Sequence, residues 1–316
     1  YALDTAFQKA RKTLKSCRKS DSQNGLYDYY LGKVAITEGK VEQDVHSFKD
    51  SLKRDHDFYQ SAIALGIIHE EKEQWEEATK VYKKYLKKDP SRKAILSKLV
   101  GALLVLQKYE QLIPYAEQLT SLEPLNLNLK VKLGIIYTDK KDYPKAIKVF
   151  KDILLHSPSN DKILYYLGAL YQEQKEFELS IEYYNQIGSQ SALFKDSVSQ
   201  VAQMMSVLAI EKANDEEEEK FFDYVETKVE SHRELKVDLL VVLANYLEGQ
   251  SDADGAIDAL ERANQESDFT QGHKYYLASL YEKTEQFDKS EEVVRKILEQ
   301  DEKNAHAWNF LGYSLL

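Results

Sequence analysis

The sequence predicts an all-α fold assembled as an array of short repeated units. Three observations carry that prediction. The dipeptide Leu31-Gly32 returns as Leu65-Gly66, Leu133-Gly134, Leu167-Gly168 and Leu311-Gly312, and Leu99-Val100 and Val201-Ala202 fill missing steps of the same interval. Each step from Leu31 to Val201 is 34 residues; the next, to Leu243, is 42, and Leu277 and Leu311 resume at 34. A fixed period of this size marks an array, not one globular core. Helix formers dominate, with only 5 prolines and 12 glycines in 316 residues to interrupt them.

Other positions keep the same register. An aromatic follows the first Leu by ten residues at Trp75, Tyr109, Tyr143, Phe177 and Phe287. A small residue comes three positions later at Ala78, Ala146, Ser180, Ala256 and Ser290, and Pro90, Pro124 and Pro158 close three units. Together these residues resemble the tetratricopeptide repeat family, whose unit is a helix, a turn and an antiparallel helix. The resemblance covers nearly the whole chain. It implies a right-handed α-α superhelix, a single solenoid over residues 1–316 with about eight complete repeats and a half repeat at each end.

In order along the chain, residues 1–22 read as the second helix of a repeat, with Ala10, Leu14 and Cys17 in the small-large-small pattern. Complete repeats follow near 25–58, 59–92, 93–126, 127–160, 161–194, 195–236, 237–270 and 271–304. Residues 305–316 read as the first helix of a ninth repeat, carrying Trp308, Leu311 and Gly312. Arrays usually end in polar capping elements, so bare helices at both ends read as a piece of a longer protein. Gly or Ala after Leu lets the paired helix approach closely, with Ala78 and Ala146 as small residues on the second helix. Tyr137, Tyr171 and Tyr281 stand four residues after their Leu and share its face. Pro at a unit boundary cannot extend the helix before it.

The sixth unit is longer, 42 residues against 34. Its first helix is expected from about Leu193 to Ala213. The acidic run Asp215 to Glu219 behind Asn214 reads as a capped helix start opposing the helix dipole. Pro114, inside a second helix, is expected to bend it or delay its start, whereas Pro144 falls near a helix start, where Pro is tolerated.

Composition narrows the function. Hydrophobic residues are 43% and charged residues 30%, compatible with a folded chain. The net charge of −10 argues against a dedicated binder of nucleic acid or anionic membrane. The basic stretches Arg11, Lys12, Lys15, Arg18, Lys19 and Lys83, Lys84, Lys87, Lys88 read as solvated outer faces. No apolar run approaches the roughly 20 residues of a membrane span. Cys17, the single cysteine, cannot form an intramolecular disulfide and reads as a small packing residue.

No catalytic constellation, dinucleotide fingerprint, phosphate loop or metal-ligand spacing is present, so no cofactor, metal or enzyme activity is expected. The 7 histidines are scattered. His69 occupies the position of Tyr137 and Tyr171 and reads as a packing residue.

The resemblance also implies a working surface. In the family the first helices line the concave side, and contacts come from two positions before and after the conserved Leu, plus the next turn. In this chain those are Tyr29 and Lys33; Ile63 and Ile67; Ser97, Gly101 and Leu104; Val131 and Ile135; Tyr165, Ala169 and Gln172; Ser199 and Gln203; Val241 and Asn245; Tyr275 and Ser279. The strip from Ile63 to Ala169 is notably apolar, as binding grooves are. It suits a protein or peptide partner laid along it as an extended strand or helix. A basic clamp for the acidic tails of chaperones is missing, since Tyr29, Ile63, Ala64 and Ala94 stand at its positions. Residues 304–316 resemble a phrase of bacterial members, many of them exported lipoproteins facing the periplasm. That points to a bacterial, extracytoplasmic protein and leaves the cytoplasm open. The reading is a non-enzymatic scaffold or adaptor; alternatives are the recruiting arm of a larger enzyme or envelope complex, and a homo-oligomer built through bare terminal helices.

Overall fold

A computed structural model describes residues 2–314. Among these, the chain forms eighteen α-helices, one short 3-10 turn and no strand. Helix α1 (Ala2–Ser20) is followed by the pairs α2 (Leu26–Thr37) with α3 (Val41–Arg54), α4 (Tyr59–Glu71) with α5 (Trp75–Leu86), and α6 (Lys93–Val105) with α7 (Tyr109–Leu122). Then come α8 (Leu127–Asp139) with α9 (Tyr143–His156), α10 (Asp161–Glu173) with α11 (Phe177–Tyr184), and α12 (Phe194–Lys212) with α13 (Asp215–Ser231). The 3-10 turn Arg233–Leu235 leads into α14 (Lys236–Gly249) with α15 (Ala253–Ala263), α16 (Gln271–Lys283) with α17 (Phe287–Gln300), and α18 (Ala305–Ser314). The fold is an α-solenoid of helical hairpins. It divides within α9 into two compact units, one up to Val149 and one from Phe150. In the first unit α4 also packs on α6, and in the second α12 packs on α14, so first helices neighbour first helices.

Seven of the eight hairpin turns share one backbone closure. Glu73, Gln107, Lys141, Lys175, Ser251 and Glu285 hold left-handed φ angles between 54° and 68°, and Gly39 takes the equivalent place at 71°. The next residue donates its N–H back across the turn: Gln74 to His69 O at 2.8 Å, Asp142 to Tyr137 O at 2.9 Å, Gln286 to Tyr281 O at 2.7 Å. This Schellman closure satisfies carbonyls that would otherwise be orphaned at the helix end. Only one of these seven turn positions carries a glycine, so six hold an L residue where L residues are strained.

The paired helices meet where the repeat places its small residue. A Cβ on Gly66 would lie 2.2 Å from the Tyr82 ring; on Gly32, 2.6 Å from Phe48; on Gly168, 2.7 Å from Tyr184. Each glycine thus receives the aromatic ring found sixteen residues later, on the second helix of its own hairpin. Tyr82, Phe48 and Tyr184 are essentially fully buried there. The small residues Ala78 and Ala146 are buried too, but the atoms nearest Gly66 belong to Tyr82.

Polar ties join successive hairpins. Asp28, 1% exposed, is held between Arg18 at 2.6 Å and Arg54 at 2.7 Å, so α1, α2 and α3 share one carboxylate. Tyr137 donates its hydroxyl to Glu117 with Lys145 over its ring at 5.2 Å, and Tyr281 does the same to Glu261 with Lys289 at 5.2 Å. Asn214 caps α13 by accepting from Glu217 N–H at 2.9 Å. The acidic run behind it is engaged internally: Lys220 bonds Glu216, Lys212 reaches Glu217, and the Tyr246 hydroxyl donates to Glu218. The basic stretches are not purely solvated, because Arg11 pairs with Glu38 and Lys88 with Asp57.

One sequence expectation narrows and another needs amendment. Helix α7 begins at Tyr109 with Pro114 inside it, so its start is not delayed. His69 is half-buried, not a core residue like Tyr137, and its Nδ1 shares a hydrogen bond with Gln74 at 2.8 Å across the hairpin turn.

Four substitutions test these features. Gly66→Ala should overpack against Tyr82 and destabilise by about 1–3 kcal/mol. Gly101→Ala, where an added Cβ meets nothing within 4 Å, should be neutral or gain up to about 1 kcal/mol. Urea unfolding of both variants checks the contrast. Lys141→Gly should relieve the left-handed strain and add up to about 1 kcal/mol of stability, read as a higher urea midpoint at unchanged slope. Asp44, 2% exposed, has its carboxyl pushed up by burial, against opposition from the Val45 N–H and Lys72. A raised carboxyl pKa means its ionised form weakens the fold, a penalty present at neutral pH and gone below the ordinary carboxylate range. Asp44→Asn should therefore raise Tm at pH 7, and the difference from the parent should vanish as pH falls through that range.

Candidate functional site: the outer face of the first helices

The close hairpin contact fixes the rotation of each first helix. In α4 the residues Ser61, Ala62, Leu65, Gly66 and Ile68 are buried. Ile63 and Ile67, one helical turn apart, then fall beside that stripe and stay half-exposed. The same phase recurs along the chain. Of the expected contact residues, Lys33, Ser97, Gly101, Gln203, Asn245 and Ser279 are exposed; the others are half-buried, and none is buried.

In the first unit the face runs through Tyr29 and Lys33 on α2, Ile63 and Ile67 on α4, Ser97, Gly101 and Leu104 on α6, and Val131 and Ile135 on α8. Its middle is aliphatic. Tyr29 is less available than its position suggests, since its ring lies 5.4 Å from Tyr30, 5.8 Å from Phe48 and 5.4 Å from Phe58.

In the second unit the face has another character. Tyr165 packs edge-on to Tyr184 at 5.2 Å, and the Tyr184 hydroxyl donates to Gln172 at 3.2 Å, which fixes that amide. Ala169 lies on the same helix, half-buried. Tyr275 is turned toward α18, donating to Asn304 at 3.1 Å and meeting His306 edge-on at 4.5 Å. Between these ends Tyr165, Ser199, Gln203, Val241 and Asn245 line a cleft of about 350 Å³. Five residues the sequence reading did not single out complete it: Asp196, Gln200, Asp238, Val242 and His273.

Charge in this cleft is negative. Asp238 pairs with Lys195 at 3.0 Å, and that hydrogen bond, with the nearby Asp268 and Asp196, holds the Lys195 ammonium above its usual range. Burial, followed by the charge of Asp196, pushes the Tyr165 phenol up. His273 Nδ1 accepts the Thr270 N–H at 3.2 Å, so in the neutral ring the proton sits on Nε2. The missed aspartates do carry a sequence signal. Each stands five residues before the repeat's Val201 or Leu243, yet among 53 acidic residues that register is visible only once the cleft is known. Among the described residues no group of three His, Cys, Asp or Glu side chains is placed to hold a metal ion, and no helix is long and apolar enough to cross a membrane.

Three family models, each of the tetratricopeptide repeat, match residues 61–94, 131–191 and 275–304. No curated protein sequence matches. Among solved structures, the Naa15/Naa10 complex bound to HypK-THB is similar at a TM-score of 0.60 and 13% identity, over 90% of this chain and 43% of that one. YrrB, described as a tetratricopeptide protein with an unusual peptide-binding site, matches at a TM-score of 0.45 and 14% identity, over 55% of this chain and 89% of its own. A tetratricopeptide repeat protein from Parabacteroides merdae matches at 0.42 and 15% identity, over 81% and 98%. At such identities the likeness extends to the fold alone.

Proposed function

We propose that this chain, a tetratricopeptide repeat protein, is a non-enzymatic scaffold holding a partner polypeptide against the partly exposed face of its first helices, the one that lines the concave side in that family. The observation that supports this most directly is exposure. In neither unit is a residue of that face, Tyr29 to Ile135 in the first or Tyr165 to Tyr275 in the second, buried by the chain's own packing. Aliphatic side chains left half-exposed in register, as Ile63, Ile67, Val131 and Ile135 are, fit an apolar segment of a partner. Helix or strand segments are the usual occupants of such surfaces.

Replacing both Ile67 and Ile135 by Asp tests the assignment. Each is only half-buried, so helicity by circular dichroism should be unchanged. Partners captured from a lysate of the source organism should fall by at least about tenfold. Leu155→Asp, at a side chain 79% exposed and off this face, should leave capture intact. Undiminished capture by the double variant refutes the role of the face.

A further inference from the structure

We infer that the cleft between α10, α12, α14 and α16 receives a lysine or arginine side chain of the bound polypeptide. This rests on the scaffold reading and adds the chemistry of one contact.

Shape limits the occupant first. About 350 Å³ is at the small end of ligand sites, room for one long side chain and not for a folded element. Hydrogen-bonding capacity comes second. Ser199, Gln200, Gln203 and Asn245 make no side-chain hydrogen bond among the described residues, and Asp196 makes neither a hydrogen bond nor an ion pair there. Some amides elsewhere are engaged, as Gln172 and Gln118 are, and others such as Gln60 and Asn264 are not; what sets the cleft apart is that four such side chains open onto one space. Charge comes third. Two carboxylates face the cleft; Lys195 pairs with Asp238 and only lies near Asp196, so one cation stands against the two.

Asp196 and Asp238 are each the third residue of their helix, where a carboxylate is favourable in itself. That placement accounts for their charge. It does not account for both opening onto one cleft beside amides without partners. An ammonium offers three donors and a guanidinium five, and neither accepts. Two carboxylates with the amide oxygens of Gln203 and Asn245 meet that demand. Val241, Val242 and the Tyr165 ring supply apolar surface for the methylene stem, and the ring face also attracts a cation.

The test titrates the full chain with short peptides, blocked at both ends, that differ only in a central lysine, arginine, glutamate or norleucine. Side-chain amide signals of Gln200, Gln203 and Asn245 are followed by NMR. The lysine or arginine peptide should bind with Kd near 1 mM, shift these signals and weaken with added salt. Asp196→Asn combined with Asp238→Asn should weaken it by about tenfold. Equal binding of the glutamate or norleucine peptide overturns the inference, as does an Asn variant that binds lysine like the parent. If the Ile67 and Ile135 double variant loses its partner while these peptides fail, the scaffold reading stands without this contact. If that variant keeps its partner, the scaffold reading itself falls.

Discussion

Everything in this chain depends on how closely two helices of a hairpin approach. A glycine on the first helix admits a ring from the second: Phe48 at Gly32, Tyr82 at Gly66, Tyr184 at Gly168. Where the glycine is replaced, the volume is redistributed between the same two register positions. Val100 stands sixteen residues before Ala116, Ala244 before Leu260 and Ala278 before Val294, and all six are buried. Large meets small in either order, as dense packing demands. The contact also sets the rotation of the first helix, so it decides which residues face outward.

Between hairpins the chain uses a second device twice. Glu117, Tyr137 and Lys145 in one unit, and Glu261, Tyr281 and Lys289 in the other, form the same carboxylate-phenol-ammonium stack. Burial and the neighbouring carboxylate both push these phenols up, so each remains a hydrogen-bond donor across the working pH range. Asp28 between Arg18 and Arg54 does comparable work near the first hairpins. A net charge of −10 is therefore not spread evenly over a solvated surface; much of it is engaged where one hairpin meets the next.

The helical plan was legible because local chemistry and tertiary packing agree. The helix expected from about Leu193 to Ala213 runs Phe194–Lys212, and Asn214 caps its successor. Three features were not legible. Tyr82 as the partner of Gly66 is a contact across a turn, which a register of small residues does not reveal. Left-handed backbone at Glu73 or Lys141 leaves no trace when the position lacks glycine. The cleft was half visible: Ser199, Gln203, Val241 and Asn245 followed from register, but Asp196 and Asp238 were lost among other carboxylates. Tyr29 and Tyr275, contact positions by register, both rest on neighbouring rings, because register gives a residue's azimuth and not its neighbours.

The long sixth hairpin bears on how such a chain changes in size. It holds eight more residues than its neighbours, in helices of 19 and 17 residues where α10 has 13. Against α8 and α9, of 13 and 14 residues, the first limb is the longer by six and the second by three. Val201 and Leu243, on either side of the enlargement, are both buried all the same. Growth within both limbs is thus a permitted route of divergence, lengthening one rib of the stack while the periodic grammar resumes unaltered beyond it.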